Sequence, residues 1–467
     1  MNDAIKKLRD LLGPPGWIDR PDDMSRYLSE QRGLFTGVCA GVARPATSEE
    51  TALVVGICAE TGLGITPQGG NTGLVGGGVP MFTDRSGIVL ATERMNHIRD
   101  IDPINQTMTV EAGVILADIQ QAAENAGLLF PLSLGAEGSC RIGGNLATNA
   151  GGVQVLRYGN ARDLVLGLEV VLADGRIWDG LSRLRKDNTG YDLKHLFMGS
   201  EGTLGIITAC VLKLYARPTH RETALCAGPD SRAMLALFRR VRNAVGDGLT
   251  AFEIINRFAF DITVRHIDGC SDPFDQPHPH YALVEAGGMG KDLRLALEEV
   301  LGKALEDGVI TDAVFAESGA QTADLWRLRE TIPEAQKYEG GSIKHDVAVP
   351  VSSVPEFLER ATALVENEVP GIRVCAFGHA GDGNIHFNLS QPVGMDSDIY
   401  LAKWKDINRK VHDLVMQMNG SFSAEHGVGI LKRDDVARYK SDVEIDLMRR
   451  MKQALDPDGI FNPGKIL

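Results

Sequence analysis

Glycine is concentrated in three tracts in the first half of the chain, and these tracts limit what the chain can fold into. They run from Gln68 to Gly78, from Gly135 to Gly152 and from Gly199 to Thr208, and strand-like segments lie beside them. Glycine lets a backbone approach a ligand closely or adopt positive φ, and consecutive N–H groups in such loops bind phosphate groups. A single tract is as readily explained by a tight turn, but three of them predict a bound phosphate-bearing ligand.

The spacing within the tracts excludes two common nucleotide-binding loops. None of the tracts reads G-x-G-x-x-G at the start of a helix, and none reads G-x-x-x-x-G-K-[ST]. A Rossmann-type dinucleotide site and a P-loop are therefore not expected, and another kind of phosphate cradle is needed.

Charge and hydropathy limit the partners. The formal net charge is −14 and no long basic run occurs, so nucleic acid, whose phosphates require clustered Lys and Arg, is not an expected partner. No segment approaches the roughly 20 consecutive apolar residues of a membrane-spanning helix. A small anionic ligand is compatible with the charge, because a pocket can be locally positive within an acidic protein.

The pattern of predicted helices and strands changes near Thr219. Before this point the pattern predicts a helix over 46–62 and strands over 87–91 and 107–111. After it, strand-like stretches alternate with helical ones such as Tyr400–Gln417, which is typical of a separate α+β domain with an antiparallel sheet. The length of 467 residues also predicts two or three domains.

Histidine and carboxylate side chains are grouped in the second half. His379 and His386 flank an Asp-Gly turn, and the apolar runs around them predict a hairpin that brings both rings toward one point. Glu425 and His426 stand side by side in another glycine-flanked segment. Two imidazoles and a carboxylate suit zinc or a similar divalent ion. Histidine in a strand is more often a hydrogen-bonded structural residue than a ligand, so the spacing alone leaves both interpretations open.

The glycine tracts resemble the FAD-binding domain of the vanillyl-alcohol-oxidase type of flavoprotein. Within that type the chain looks most like the group of D-2-hydroxyglutarate dehydrogenase, D-lactate dehydrogenase and the FAD-binding component of glycolate oxidase, over nearly its whole length. The segments that carry the resemblance are Pro67–Gly73, Gly138–Gly152 and Gly199–Thr208. The resemblance implies an α+β fold with a two-part FAD-binding domain over 1–217 and an α+β substrate (cap) domain with an antiparallel sheet over 218–419. The C-terminal segment, 420–467, is expected to return to the flavin site.

By the same resemblance, the first tract holds the pyrophosphate of FAD, and the second and third line its isoalloxazine and ribityl groups. Some relatives carry a flavin-linking histidine where this chain has Asn71, which implies noncovalent FAD. The residues expected to bind FAD are Pro67, Gly69, Gly70, Asn71, Thr72, Gly73, Leu74, Pro131, Leu132, Gly138, Ser139, Gly143, Asn145, Thr148, Gly152, Glu201, Gly205, Ile207 and Asn462.

The resemblance also assigns roles to the histidine and carboxylate segments. His379, His386 and Glu425 match the metal ligands of the family, with zinc the expected ion. His426 matches the base that accepts the substrate's hydroxyl proton, and Asn388 matches a substrate contact.

Two cations are expected to hold an anionic substrate. Resemblance assigns carboxylate binding to Arg329 and Lys344, whereas Arg327 points away from Arg329 on a helix, so at most one of these two arginines faces a pocket. The lysine favours a dicarboxylate over D-lactate. However, Ile332-Pro-Glu-Ala335 lacks the hydroxyl residue that hydroxyglutarate enzymes carry near Pro333, which keeps the choice of acid open.

The expected activity is therefore that of an FAD-dependent dehydrogenase that oxidises a D-2-hydroxy acid to its 2-oxo acid by hydride transfer to flavin N5. D-2-hydroxyglutarate is the first candidate substrate, and D-malate is the second. The alternatives are a D-lactate dehydrogenase or glycolate oxidase-type activity, an oxidase that reduces dioxygen, and a non-catalytic FAD-binding protein that serves electron transfer.

The electron acceptor, the assembly and the cellular location of the protein are also expectations. The electron acceptor is expected to be an electron-transfer flavoprotein, a quinone or a cytochrome, and the expected assembly is a homodimer. The seven cysteines are scattered without a CxxC pair, and the N-terminal residues contain no apolar signal core, so a cytoplasmic location is expected.

Overall fold

The computed structural model of the chain describes residues 2–290 and 292–467. Its α-helices, in chain order, are α1 (Asn2–Gly16), α2 (Pro21–Leu28), α3 (Ser48–Thr61), α4 (Leu116–Asn125), α5 (Ile142–Ala147), α6 (Val155–Tyr158), α7 (Lys194–Phe197), α8 (Ser231–Val245), α9 (Arg257–His266), α10 (Leu293–Glu306), α11 (Gly319–Glu330), α12 (Ile332–Ala335), α13 (Val354–Glu368), α14 (Ser397–Leu401), α15 (Trp404–Gln417), α16 (Arg433–Tyr439) and α17 (Asp442–Leu455). Its strands are β1 (Trp17–Ile18), β2 (Val42–Ala43), β3 (Gly64–Gln68), β4 (Gly87–Ala91), β5 (Ile98–Asp102), β6 (Thr107–Glu111), β7 (Leu128–Leu129), β8 (Val165–Val171), β9 (Ile177–Gly180), β10 (Ile206–Lys213), β11 (Tyr215–Ala216), β12 (His220–Gly228), β13 (Leu249–Asn256), β14 (His280–Gly288), β15 (Asp312–Phe315), β16 (Ser342–Ile343), β17 (Asp346–Ala348), β18 (Arg373–His379) and β19 (Asn384–Ser390).

Packing divides the chain into two compact units. The first consists of Met1–Gly152, Tyr158–Arg217 and Glu425–Leu467, and the second consists of Val153–Arg157 and Pro218–Ala424. The short excursion of Val153–Arg157 into the second unit is not foreseen by the sequence. The domain boundaries expected after residues 217 and 419 stay predictions.

Two sheets form the framework of the first unit. Among the described residues, one sheet has the order β1-β2-β4-β3, in which β4 is parallel to both β2 and β3. The other is antiparallel with the order β5-β6-β10-β8-β9. Helices α1 and α3 pack their apolar sides on β3 and β4 in one core.

Helix α3 shows how local sequence sets the element boundaries. The Thr47 hydroxyl oxygen accepts the N–H of Glu50 at 3.1 Å and caps the start of the helix. Gly62 ends it with a φ of 70°, which a residue with a side chain adopts less readily. The helix predicted over 46–62 and the strands predicted over 87–91 and 107–111 are confirmed.

The C-terminal segment is attached to the edge of β3. The N–H of Ile65 donates to the carbonyl oxygen of Ile460, and the carbonyl oxygen of Ile65 accepts the N–H of Asn462, each at 2.7 Å. The Asp456 carboxylate accepts the N–H groups of Ile460 and Phe461, and Phe461 is fully buried. The segment is therefore an integral part of the strand layer that leads into the first glycine tract.

The second unit is built on an antiparallel sheet. Its described strands have the order β15-β12-β14-β13-β18-β19-β16, and β17 also pairs with β19. Helices α8, α10, α13 and α15 cover one face, and α9, α11 and α12 cover the other. The predicted α+β domain with an antiparallel sheet is confirmed.

Side-chain alternation along β19 places the polar residues of the second unit on one face. Ile385, Phe387 and Leu389 are buried in the core that includes α13 and α15. Because successive side chains of a strand point to opposite faces, His386 and Asn388 point to the other face, where α11 and α12 lie.

Two elements differ from the sequence-based prediction. The helix predicted over Tyr400–Gln417 is interrupted at Ala402 and Lys403, so that α14 and α15 are separate helices. Strand β13 was not foreseen, because its apolar run does not alternate and periodicity cannot distinguish such a run from a buried helix. Among the described helices, none combines the length and apolar composition needed to cross a membrane.

Candidate active site

The three glycine tracts line one cavity in the first unit, together with His426. A Cβ atom at Gly73 would meet open space, whereas one at Gly70 would lie 2.2 Å from the carbonyl oxygen of Ser139. The first tract therefore packs directly on the backbone of the second while leaving room above Gly73 for a ligand. This cradle of exposed backbone suits the pyrophosphate and ring system of FAD.

Most of the residues expected to bind FAD line this cavity. Those that do are Pro67, Gly69, Gly70, Asn71, Thr72, Gly73, Gly143, Asn145, Thr148, Glu201, Gly205 and Ile207. Those outside its lining are Leu74, Pro131, Leu132, Gly138, Ser139, Gly152 and Asn462. Residues that line it without having been foreseen include Gln68, Gly77, Gly78, Thr92, Arg141 and Gly144.

Two non-glycine residues that line the cavity have strained backbone. Asn71 and Glu201 have φ values of 54° and 51°, in the region that favours glycine. Asn71 is held there by its amide nitrogen, which donates to the carbonyl oxygens of Arg26 and Ser29. Such strained residues cluster where a fold keeps a ligand site in one shape.

Glu201 connects the third tract to the segment that carries Glu425 and His426. Its two carboxylate oxygens accept the N–H groups of Val428 and Gly429 at 2.7 and 2.8 Å. Burial raises the pKa of Glu201, and the two N–H groups oppose that rise. The side chain expected to contact FAD is thus engaged with protein backbone.

The second tract also contacts this segment. A Cβ atom at Gly151 would lie 2.7 Å from a carboxylate oxygen of Glu425, so only glycine fits there without a shift. Glu425 and His426 are therefore fixed in the first unit by two of the three tracts.

In the second unit, Glu253 lies between two of the predicted site residues. It is 1% exposed and directly opposite His379 in the pairing of β13 with β18. One carboxylate oxygen accepts the His379 Nδ1 proton at 2.6 Å, and the other accepts the Arg329 Nε proton at 2.7 Å. Burial alone would raise the pKa of Glu253, but the charges of His379 and Arg329 outweigh burial and lower it to about 2.

His379 and His386 lie close together, as the predicted hairpin requires. Strands β18 and β19 pair across the turn, and the two ring centroids are 5.6 Å apart. His386 Nδ1 lies 4.0 Å from a carboxylate oxygen of Asp346. Because the Nδ1 atom of His379 is hydrogen-bonded to Glu253, Nε2 is the nitrogen of this ring suited to a cation, an arrangement common around zinc-bound histidine. These two residues fit a divalent metal ion, whereas Glu425 belongs to the first unit and its role as a ligand stays a prediction.

The cations expected to bind substrate differ in exposure. The side chain of Arg329 is 7% exposed, whereas that of Arg327 is 41% exposed and pairs with Asp324. Burial raises the pKa of the Cys375 thiol, and the charges of Lys344 and Arg329 oppose that rise. Arg329 stacks on Phe377 of β18, which pairs with His386 of β19, and Lys344 lies in the short segment between β16 and β17, which both pair with β19.

Asn388 is more constrained than the sequence predicts. Its amide nitrogen donates to the side-chain oxygen of Gln336 at 3.1 Å, and its amide oxygen accepts the N–H of His345 at 3.3 Å. Both ends of the amide are held by protein, which fixes its orientation.

Glu253 is the residue beside His379 and Arg329 that the sequence does not predict. The available signal is a single glutamate in the apolar run of β13, since a carboxylate that is fully buried needs a cationic partner.

Comparison with known proteins identifies the family. Residues 39–180 match the family model described as an FAD binding domain, and residues 217–466 match the one described as the C-terminal domain of FAD linked oxidases. The chain belongs to the FAD-linked oxidases. The predicted type of flavoprotein and the requirement for FAD are confirmed.

Relatives among the FAD-linked oxidases agree with this. The chain is 37% identical to "Probable D-2-hydroxyglutarate dehydrogenase, mitochondrial" of Oryza sativa subsp. indica, over 100% of this chain and 82% of that protein. It is 36% identical to "D-2-hydroxyglutarate dehydrogenase" of Xanthomonas citri pv. viticola, over 96% of this chain and 93% of that protein. They confirm the predicted class, an FAD-dependent dehydrogenase of D-2-hydroxy acids. The solved structure of p-cresol methylhydroxylase shares the fold, with a TM-score of 0.80, 18% identity, and coverage of 100% of this chain and 96% of that chain.

The prediction of a cytoplasmic location is wrong by the same comparison. The rice relative is named as a mitochondrial protein, as are others from plants and animals, although the bacterial relative's name gives no compartment. The physical reason for the error is that short targeting sequences direct a protein to its compartment, whereas the composition of the folded part does not specify the compartment.

Substituting Gly70 tests the glycine cradle. We expect Gly70→Ala to weaken FAD binding about 10- to 100-fold, because the new Cβ would lie 2.2 Å from the Ser139 oxygen and forcing the tracts apart costs about 1–3 kcal/mol. Fluorescence titration of the apoprotein with FAD measures this. Gly56→Ala in α3, where the new Cβ meets no neighbour within 4 Å, is the control and should bind FAD like the wild type. Equal FAD affinity of all three proteins would contradict the role of Gly70.

Proposed function

We propose that the protein oxidises D-2-hydroxyglutarate to 2-oxoglutarate, with D-malate as the second candidate substrate. The observation that carries this choice is the presence of two cations beside the β18–β19 hairpin: Arg329, which is buried against Phe377, and Lys344, which lies between the two strands that pair with β19. A dicarboxylate offers each cation one carboxylate, and a buried arginine binds such a group through two parallel hydrogen bonds. The names of the relatives support the same acid.

The proposed metal ligands are His379, His386 and Glu425, and the proposed ion is zinc. Two adjacent imidazoles, one of them held by a carboxylate at Nδ1, together with one carboxylate ligand, suit a borderline-soft divalent ion and leave positions for substrate. When bound, FAD supplies the hydride acceptor at N5, and a divalent ion supplies a positive charge that lowers the pKa of the substrate's hydroxyl group.

The chain's own residues would orient the acid and remove its proton. His426 is the proposed base, since a neutral imidazole can accept the hydroxyl proton at near-neutral pH. Arg329 and Lys344 would hold the carboxylates and so fix C2 of the acid. The amide of Asn388, oriented by Gln336 and the backbone of His345, is the proposed neutral contact.

FAD is proposed to be noncovalent. Asn71 occupies the position of a flavin-linking histidine, and its amide nitrogen is used to hold the carbonyl oxygens of Arg26 and Ser29. The proposed electron acceptor is an electron-transfer flavoprotein, a quinone or a cytochrome, and the proposed assembly is a homodimer.

D-lactate is the alternative substrate. One observation favours it: Pro333 is exposed at the start of α12, and the nearby hydroxyl of Thr331 donates its proton to the carbonyl oxygen of Arg327. The hydroxyl expected for a hydroxyglutarate enzyme is thus missing at this position.

Anaerobic mixing with candidate acids tests the proposed function directly. We expect D-2-hydroxyglutarate to bleach the visible flavin absorbance faster than D-malate and much faster than D-lactate. Prior treatment with a chelator should abolish the bleaching, and added zinc should restore it, since the ion lowers the hydroxyl pKa. Bleaching by D-lactate alone would overturn the proposed substrate. Bleaching that survives chelation would overturn the proposed requirement for a metal ion.

Replacing His426 tests the proposed base. Removal of a general base slows such a step about 10²- to 10⁴-fold, so His426→Gln should reduce its flavin far more slowly while keeping its FAD. Stopped-flow absorbance measures the rate. The control is His195→Gln, a partly exposed histidine of the first unit, which should behave like the wild type. An unchanged rate in the His426 variant would assign the proton to another group.

Replacing Lys344 tests the choice of a dicarboxylate. We expect Lys344→Met to lower kcat/KM for D-2-hydroxyglutarate about 10- to 100-fold, because a lost charge-assisted hydrogen bond is worth about 1.5–3 kcal/mol. Activity on D-lactate, which has one carboxylate, should change little. Lys337→Met, at an exposed lysine of the same unit, is the control. Equal losses of kcat/KM on both acids would show that Lys344 does not bind the second carboxylate.

A further inference from the structure

We propose that Glu253 is a positioning residue that couples the metal-binding histidine His379 to the carboxylate-binding arginine Arg329. This inference rests on the proposed function, because it assumes the roles given there to His379 and Arg329. None of those roles includes Glu253, which contacts neither substrate nor metal in the proposal.

The geometry gives Glu253 one oxygen for each partner. His379 is its cross-strand neighbour, and Arg329 reaches it from the last turn of α11. The contacts of 2.6 and 2.7 Å use different carboxylate oxygens, so one rigid group sets the distance between the two side chains. All three side chains are buried, so water does not replace these contacts.

The contact with His379 orients its ring. Nδ1 is directed at Glu253, so Nε2 lies on the opposite side of the ring and is the nitrogen that a metal ion would meet. Carboxylates that hold a metal-binding histidine in this way also raise its basicity toward the ion.

The contact of Glu253 with Arg329 orients the guanidinium group of the arginine. Glu253 uses only Nε, so the two terminal nitrogens are the ones that can pair with a substrate carboxylate. Arg329 is held from a second side as well, with its guanidinium carbon 4.7 Å from the ring centroid of Phe377. A shift of Glu253 would therefore disturb both binding functions at once.

The variant Glu253→Gln tests this coupling. Its amide can accept from one partner but turns an N–H toward the other, so it cannot satisfy both donors. We expect zinc affinity, measured by competition with a chromogenic chelator, to fall about 10- to 100-fold. We also expect the Kd for 2-oxoglutarate, measured by perturbation of the oxidised flavin spectrum in the FAD-loaded protein, to rise at least about tenfold.

The matched control is Glu285→Gln on the neighbouring strand β14. Glu285 is also buried, but it accepts its hydrogen bonds from Thr250 and Trp326 rather than from His379 or Arg329. This variant should keep the zinc and 2-oxoglutarate affinities of the wild type. Equal losses in the two variants would reduce Glu253 to a general structural role and overturn the proposal.

The remaining outcomes are also decisive. Wild-type affinities for both ligands in the Glu253 variant would overturn the coupling while leaving the proposed function intact. A wild-type protein that binds 2-oxoglutarate but no zinc would instead overturn the proposed metal site, and the coupling with it. If Glu253→Gln does not fold, Glu253→Asp is measured: its shorter carboxylate reaches one partner only, so a change in at least one of the two affinities is expected, and no change would overturn the proposal.

Discussion

The close packing of the glycine tracts on their neighbours is the constraint on which the cavity of the first unit depends. Gly70 lies against the carbonyl of Ser139, and Gly151 lies against the carboxylate of Glu425. No larger residue fits at either position without a shift, so at these two points the chain approaches its neighbours as closely as only glycine allows. Glu201 then adds a carboxylate that binds the Val428 and Gly429 N–H groups. The position of His426 at the cavity thus follows from packing that glycine alone permits.

The second unit depends on a buried charge instead. Glu253 is surrounded by apolar residues of the sheet, and its ionised form is stable there because His379 and Arg329 supply opposite charge. Removing one partner of a buried ion pair costs about 3–5 kcal/mol, since the remaining charge is left without compensation. A well-packed apolar arrangement is often at least as stable as a buried ion pair, so the consequence of this one for the site is the orientation of two side chains.

Features set by neighbours in sequence could be predicted, and those set by distant contacts could not. The cap at Thr47, the glycine tracts and the hairpin between His379 and His386 are all local, and the sequence predicts each of them. The partner of His379 lies on β13, more than a hundred residues earlier, and no spacing rule connects the two. The break between α14 and α15 contains neither Gly nor Pro, so the helical periodicity continues across it and does not indicate the break.

The attachment of the C-terminal segment to β3 has a consequence for the order of events on the ribosome. Ile65 emerges early and Ile460 late, yet the two share a hydrogen bond in the finished sheet. The second unit is almost wholly encoded between these positions and has all its strands available first. During synthesis β3 therefore lacks this partner until Ile460 has been made, and an uncovered strand edge invites wrong pairing. Completion of the first unit is therefore a late folding step that depends on a long-range contact.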